Sequence, residues 1–449
     1  MARTSPPRIN KKARRADVVG PKSKKRQIPQ LPKGMHDILP DEEPARAKLY
    51  RIAGEVLEYY GFRKIETPVV ESEELFTRTI GEETDIVEKE MYFVRSRGKS
   101  KLVLRPEMTA AVVRSYLEHG MHRLPQPQQF YYIGPAFRHE NPQAGRYRQF
   151  YQIGAEVLGA ESDPVYDAQV VVAFVRLLEE LGMTGLIVGI NSIGNMGDRQ
   201  NYRKKLLDYY RGHTKEICSD CGRRMKVNPL RLLDCKTREC QLISEGAPVV
   251  LDYLSGPSKA HFKSVLEYLD EAGVPYTLKP RLVRGLDYYN KTVFEIFAED
   301  DEKGERALVA GGRYDYLAES IGGRSTPGVG AAMGVERVLG AVKEKNPSFG
   351  ALRPRKRIYL VHVGQLAKRR CISLLEELRK AGFTIMGNLG KNSLSGQLEL
   401  ANKVGSTLAL ILGQKEVFED SIIIRDMRTG TQETVPLTKV IREIKKKLR

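Results

Sequence analysis

Between Phe137 and Glu156 the chain gathers side chains that bind charge. It reads Phe137, Arg138, His139 and Glu140, then Gly145, Arg146, Tyr147, Arg148, Gln149 and Phe150, then Gln152 and Glu156. On a strand, residues of equal parity share a face, which puts Phe150, Gln152, Gly154 and Glu156 together. An aromatic plate, an amide and a carboxylate beside arginines suit a nucleotide plus a small cation. A second group is Arg284, Gly285, Leu286, Asp287, Tyr288 and Tyr289. An arginine in an apolar strand setting is costly unless it meets an anion. A third is Ala310, Gly311, Gly312, Arg313, Tyr314 and Asp315, whose glycines would let backbone approach a ligand. A fourth runs from Gly328 to Arg337, a Gly-rich turn entering a helix, where phosphate could approach. It is neither a Walker A loop nor a dinucleotide fingerprint.

Four of the five cysteines also cluster. Cys218 and Cys221, followed by Gly222, precede Cys235 and Cys240 by thirteen intervening residues. That spacing is compatible with a structural zinc held by four thiolates; the alternative is four reduced thiols in a helical insertion. Cys371 sits on an amphipathic pattern and reads as core.

Regular elements must position these groups. Acids at 41–43, Pro44 and an apolar face of Leu49, Ile52, Val56 and Leu57 predict a helix over 41–60, stopped by Gly61. Residues 129–133 and 149–158, rich in aromatic and β-branched side chains, predict an antiparallel hairpin with a long polar loop. Asp163 and Pro164 open a helix as N-cap and first residue. Another helix is predicted near 258–271, strands near 281–297 and 307–311, and a last helix near 333–344. Past 353 the pattern becomes alternating: strands at 358–363, 383–386, 408–412 and 421–425, with helices at 366–380, 393–403 and 437–448.

The 449 residues are 41% hydrophobic and 29% charged, which excludes a disordered polyelectrolyte. No run reaches the ~18 uncharged apolar residues of a membrane span. Five cysteines exclude a secreted disulfide scaffold. The net charge of +18 is unevenly placed. Residues 1–28 hold ten Lys/Arg and one acid, and residues 353–449 hold twenty and nine, leaving the middle at −2. Two basic ends around a near-neutral body favour a polyanionic partner.

Together these motifs resemble a class II aminoacyl-tRNA synthetase, specifically the histidyl-tRNA synthetases, over about 30–449. Lys33 to Pro40 resembles the family's start, Gly61 to Pro68 its motif 1, Phe137 to Glu156 its motif 2, and Gly328 to Arg337 its motif 3. Arg284 to Tyr289 and Gly311 to Asp315 resemble its two histidine signatures. The resemblance implies an α+β catalytic domain over 29–352, mainly an antiparallel sheet flanked by helices. A mainly helical insertion is expected at about 195–257, and an α/β anticodon-binding domain over 353–449. It implies activation of L-histidine with ATP and Mg2+, then transfer of histidine to tRNA(His), by a cytoplasmic homodimer. Glu107, Thr109 and Gln152 would hold the α-amino group. Glu156 and Tyr289, with Tyr288 beside it, would take the imidazole. Arg138 and Arg284 would grip the α-phosphate from opposite sides. Arg146 and Arg337 would hold the outer phosphates, Phe150 would stack on adenine, and Glu140 would meet adenine or a metal ion. Met108 stands where many relatives have glycine. Within the anticodon-binding domain the helix start at 392–397 is the expected RNA contact. The tail has no place in the family fold. Deleting residues 1–28 should leave histidine-dependent pyrophosphate exchange unchanged and weaken, if anything, tRNA binding at moderate salt, as read by filter binding.

Overall fold

The computed structural model describes residues 28–81, 84, 86–95, 97–141, 146–159, 161–298, 307–351, 357–387 and 389–448. Residues 1–27, Gly145 and the basic run 353–356 lie outside the described residues. The chain divides into two compact units, Met1–Phe349 and Gly350–Arg449.

The first unit contains strands Arg63–Lys64 (β1), Val70–Ser72 (β2), Tyr92–Val94 (β3), Leu102–Leu104 (β4), Gln128–Phe137 (β5), Gln149–Leu158 (β6), Leu186–Ser192 (β7), Tyr276–Leu278 (β8), Asn290–Ala298 (β9), Val309–Arg313 (β10) and Gly328–Gly334 (β11). Eight of them form one sheet in the order β1-β5-β6-β11-β10-β9-β7-β8, and β2, β4 and β3 form a smaller one. All neighbours from β5 to β7 in the large sheet are antiparallel; only the edge strands β1 and β8 pair in parallel. β5 and β6 pair over their full ten residues, from Gln128 opposite Leu158 to Phe137 opposite Gln149.

Alternation divides the two faces of β6. Ile153, Ala155 and Val157 join a core with Val329, Ala331 and Met333 of β11 and Phe294 and Ile296 of β9. Helices Glu43–Tyr59, Pro164–Glu180, Gly256–Glu271 and Val335–Lys345 supply the rest of that core. The Asp163 carboxylate accepts from the Val165 N–H and caps the second of these. Gly154 and Glu156 point to the opposite face. There the core is built from Phe130, Tyr132, helix Thr109–Glu118 and residues of 202–250. Among the described residues, 195–257 contains helices only: Met196–Arg211, Ser219–Val227 and Arg238–Glu245, with short 3-10 turns between.

Three expectations are corrected. Strand β9 begins at Asn290 rather than near 281. The Asn191 side chain donates to the carbonyls of Pro280 and Leu282 at 3.1 and 3.0 Å, and Asp287 N–H bonds Ile80 O, so this stretch is held outside the ladder. Gly328–Gly334 is a strand inside the sheet, not a turn open to phosphate; the helix starts after Gly334. The glycines of β10 likewise admit neighbouring chain, not ligand. A Cβ on Gly311 would lie 2.4 Å from Gly330 O, and one on Gly312 2.5 Å from Thr292 O.

One buried ion network fastens helix to sheet. Arg313, at the end of β10, donates to both Asp167 oxygens, to Asp315 at 3.1 Å and to Asp163 O at 2.9 Å. Asp315 also accepts from Asn290, Ser162 and Lys291. Glu336 plays a similar part nearby, accepting from Arg46 at 3.2 Å and from Tyr151 N–H at 3.0 Å.

The second unit is a five-stranded sheet of Ile358–His362 (β12), Ile385–Met386 (β13), Leu408–Leu412 (β14), Ser421–Asp426 (β15) and Gln432–Pro436 (β16), ordered β13-β12-β14-β15-β16. β12 is parallel to both neighbours, and β15 and β16 are antiparallel additions. Helices Gln365–Lys380, Leu394–Lys403 and Val440–Lys447 pack with it, and Cys371 is fully buried between helix and sheet. β16 escapes the sequence reading because its side chains are mostly exposed and show no apolar alternation. Gln397 corrects the expected RNA contact. It is fully buried, accepts from His362 N–H at 3.1 Å and donates to His362 O at 2.8 Å, so its amide is used internally.

Asp167→Ala should destabilise the first unit by about 3–5 kcal/mol, because Arg313 is then buried without its main counter-ion. A lowered urea midpoint for that unit's transition is the check.

Candidate active site

The site is organised around one buried carboxyl. Glu156, on β6, is 1% exposed. Its Oε1 accepts from Thr109 Oγ1 at 2.8 Å and Tyr132 OH at 3.0 Å, and its Oε2 accepts from Tyr314 OH. Those hydroxyls come from the first residue of helix Thr109–Glu118, from β5, and from the residue after β10. Two glycines make the room. A Cβ on Gly330 would stand 1.7 Å from Glu156 Oε2, and one on Gly154 2.2 Å from the Tyr132 ring and hydroxyl. Burial raises the Glu156 pKa to about 8; the three hydroxyls pull it down and the charge of Glu107 pushes it up.

Glu107 sits at the start of the same helix. Its carboxylate accepts from Thr109 N–H at 2.7 Å and Ala110 N–H at 3.0 Å, and so caps the helix. Burial raises its pKa, against these N–H groups and the charge of Arg138. Met108 is buried, with its terminal methyl close to Gly134 of β5.

Tyr288, Tyr289 and Tyr314 form an aromatic wall. Tyr288 and Tyr289 ring centroids are 4.6 Å apart, and Tyr314 lies 5.8 and 6.5 Å from them. Gln152 faces the site from β6 with its Oε1 buried and unpartnered. Arg284 lies over Tyr289, 5.9 Å from the ring centre, and is ion-paired with Glu295 of β9. Its Nε is buried without a partner. The anion demanded by an arginine in this setting is thus present within the chain.

The basic side lies along the β5–β6 hairpin. Arg138 Nε donates to Pro106 O at 2.9 Å, and its guanidinium stands 5.3 Å over the Phe150 ring. Arg146 is 3.5 Å from Glu140. Arg148 is tied to the opening segment, with its N–H on Gly34 O at 2.7 Å and Nε on Glu140 O at 3.2 Å. Arg337, in the first turn of helix Val335–Lys345, donates to Ala307 O at 2.8 Å.

The structure therefore brings Glu107, Thr109, Glu156, Tyr288 and Tyr289 into one core, and places Arg138 beside Phe150. Sequence reasoning gave no role to Tyr132, Tyr314 or Glu295. Tyr132 had a signal: it is paired with Gly154 across the hairpin, a large aromatic opposite a missing side chain. Glu295 had one too, as an acid between Phe294 and Ile296.

The cysteines form a separate cluster. All four sulfurs lie within 4.8 Å of one another, and Cys221, Cys235 and Cys240 are buried. The Cys218 thiol is lowered to about 7, chiefly by the Cys221 N–H, whereas burial raises Cys221 and Cys240.

An antiparallel sheet with an arginine-bearing hairpin and a following strand–helix motif, together with a separate anticodon-binding unit, defines a class II aminoacyl-tRNA synthetase. The family model for histidyl-tRNA synthetase matches residues 34–197 and 230–338, and that for an anticodon binding domain matches 357–447. The chain belongs to the histidyl-tRNA synthetase family. It is 42% identical to the histidine–tRNA ligase of Desulforamulus reducens over 414 residues, 92% of this chain and 98% of the relative. It is 43% identical to that of Desulfitobacterium hafniense over 409 residues, 91% and 96% of the two chains. The apo histidyl-tRNA synthetase of S. aureus superposes with a TM-score of 0.74 at 34% identity, over 93% of this chain and 100% of that one.

The raised pKa of Glu156 has a consequence for stability. The unfolded chain releases this proton near the ordinary value of 4.5, while the folded chain keeps it until about 8. The contribution is complete below the ordinary value and is lost as pH rises through that window. The urea midpoint of the wild type, relative to that of Glu156→Gln, should fall between those two pH values and then level off.

Proposed function

We propose that this chain activates L-histidine with ATP to histidyl-adenylate and pyrophosphate, and then transfers histidine to the 3′ end of tRNA(His). The observation that carries this reading is Glu156, enclosed by hydroxyls and tyrosines beside the unpartnered Gln152 carbonyl. Glu107, Thr109 and Gln152 hold the α-amino group. The Glu107 oxygens each accept one backbone N–H, which leaves lone pairs for an ammonium.

Glu156 and Tyr289 take the imidazole, with Tyr288 packed against Tyr289. Burial favours the protonated form of Glu156, and the three hydroxyls favour its carboxylate. An entering imidazole offers the protonated form an acceptor, and the pair shares the proton within a wall of phenols. An apolar side chain of similar size leaves the carboxyl unmatched, which is the basis of discrimination.

In the first step the histidine carboxylate attacks the α-phosphorus of ATP in line, and pyrophosphate leaves. No covalent bond to the protein is needed. Alignment and charge stabilisation carry the rate. Arg138 meets the α-phosphate on one side and Arg284 on the other. Arg146 and Arg337 hold the outer phosphates, and Phe150 stacks on adenine. The closeness of Arg138 to the Phe150 ring suits this, since the α-phosphate is the one nearest the nucleoside. Glu295 steadies Arg284 and leaves its Nε for an oxyanion.

Among the described residues no cluster of three carboxylates forms. Glu140 would be the carboxylate available to a bound Mg2+, which would neutralise charge on the leaving pyrophosphate. The +11 of residues 353–449 suits the anticodon arm of tRNA. Homodimerisation through the Gly61–Pro68 segment follows the family pattern. Exposed Val70 and Phe93 on the small sheet give it apolar surface to cover. Action in the cytoplasm follows the family pattern. No helix among the described residues is long and apolar enough to cross a membrane.

Arg284→Ala should lower histidine-dependent ATP–pyrophosphate exchange by on the order of 10²–10³ while the circular dichroism spectrum is kept. Near-normal exchange in that variant sinks the role given to Arg284.

A further inference from the structure

We propose that Cys218, Cys221, Cys235 and Cys240 bind one zinc ion, and that this ion fixes the helical insertion that braces the Arg284–Tyr289 segment. The second half of the proposal rests on the histidine-activation reading.

The geometry comes first. A tetrahedral zinc site with Zn–S bonds of about 2.3 Å has sulfurs about 3.8 Å apart. The Cys218 and Cys235 sulfurs are 3.8 Å apart, and all four lie within 4.8 Å. A disulfide needs about 2.05 Å, so these are not oxidised pairs. Tyr210, Leu232 and Leu233 pack with the cysteines in a closed core.

The surrounding backbone favours thiolates. Cys218 N–H points at Cys240 Sγ at 3.2 Å, and Cys221 N–H at Cys218 Sγ at 3.5 Å. Such N–H···S contacts orient metal-bound sulfurs and stabilise their charge. Gly222 N–H closes the turn on Cys218 O at 3.0 Å. The elements that carry the ligands are short, with helices of nine and eight residues and a 3-10 segment of six. Elements of that length have little stability of their own, so a central tetrahedral link would supply it.

The stretch between the two cysteine pairs leans on the histidine signature. Asn228 Nδ2 donates to Asp287 Oδ1 at 2.6 Å. Arg231 closes over Gly285, where a Cβ would meet its guanidinium at 3.0 Å. From the other direction Arg281 donates to the carbonyls of Ser244 and Glu245, at the end of the helix that carries Cys240. Residues 281–289 have no strand ladder, so these contacts replace one.

The test uses the full-length enzyme purified without added metal or chelator. Atomic emission should find about one zinc per chain. A mercurial thiol reagent should release it into a colorimetric indicator as trypsin resistance of the insertion is lost. Cys235→Ser should lack zinc, and Cys371→Ser should keep it. Asn228→Ala should keep zinc but raise the KM for histidine several-fold, with the KM for ATP unchanged. Absence of zinc, iron in its place, or zinc retained in Cys235→Ser overturns the site. An unchanged histidine KM in Asn228→Ala overturns the bracing. If the untreated enzyme shows no histidine-stimulated exchange, the activity reading fails while the metal count still decides the site.

Discussion

A carboxyl group buried in the middle of a β-sheet is the constraint on which the site depends. Taken out of water, Glu156 is costly unless it is fully hydrogen-bonded. The fold answers from three directions, with Thr109, Tyr132 and Tyr314. Each answer fixes something else. Thr109 requires the helix start that Glu107 caps. Tyr132 requires Gly154 across the hairpin, and Oε2 requires Gly330. The register of β5, β6 and β11 is therefore tied to one acid.

Two arginines of the site are held in place by other parts of the chain. Arg284 is braced by Glu295, and Arg138 by Pro106 O and the Phe150 ring. Holding arginines in place before a phosphate arrives reduces the reorganisation needed during reaction. The Arg313–Asp167–Asp315 network has a different role. It lies beneath the site and locks helix Pro164–Glu180 to the end of β10, so the Tyr314 hydroxyl is delivered by a rigid element.

Much of this was legible in the sequence. The long hairpin, the Asp163-capped helix and the alternation past residue 353 announce themselves by parity, capping and period. The shared face of Phe150, Gln152 and Glu156 follows from the strand repeat alone. What failed has physical causes. Residues 281–289 look strand-like but are held by the Asn191 side chain, a long-range contact without a local signal. Gly328–Gly334 looks like a phosphate turn because glycine signals both backbone freedom and crowding, and here it is crowding. Gln397 looks like a surface amide because nothing nearby marks its partner, His362, thirty-five residues earlier.

The glycines opposite Glu156 and Tyr132 bear on how this pocket can change. Behind the carboxyl and the Tyr132 ring lies main chain, which offers no side chain to trade for another. A larger cavity cannot be carved there by trimming, nor a smaller one made by filling, without displacing the carboxyl itself. If the proposed histidine site is correct, Tyr288 and Tyr289 are side chains whose bulk could be exchanged piecemeal. The route to a new substrate is narrow, and it starts from the tyrosines rather than from the sheet.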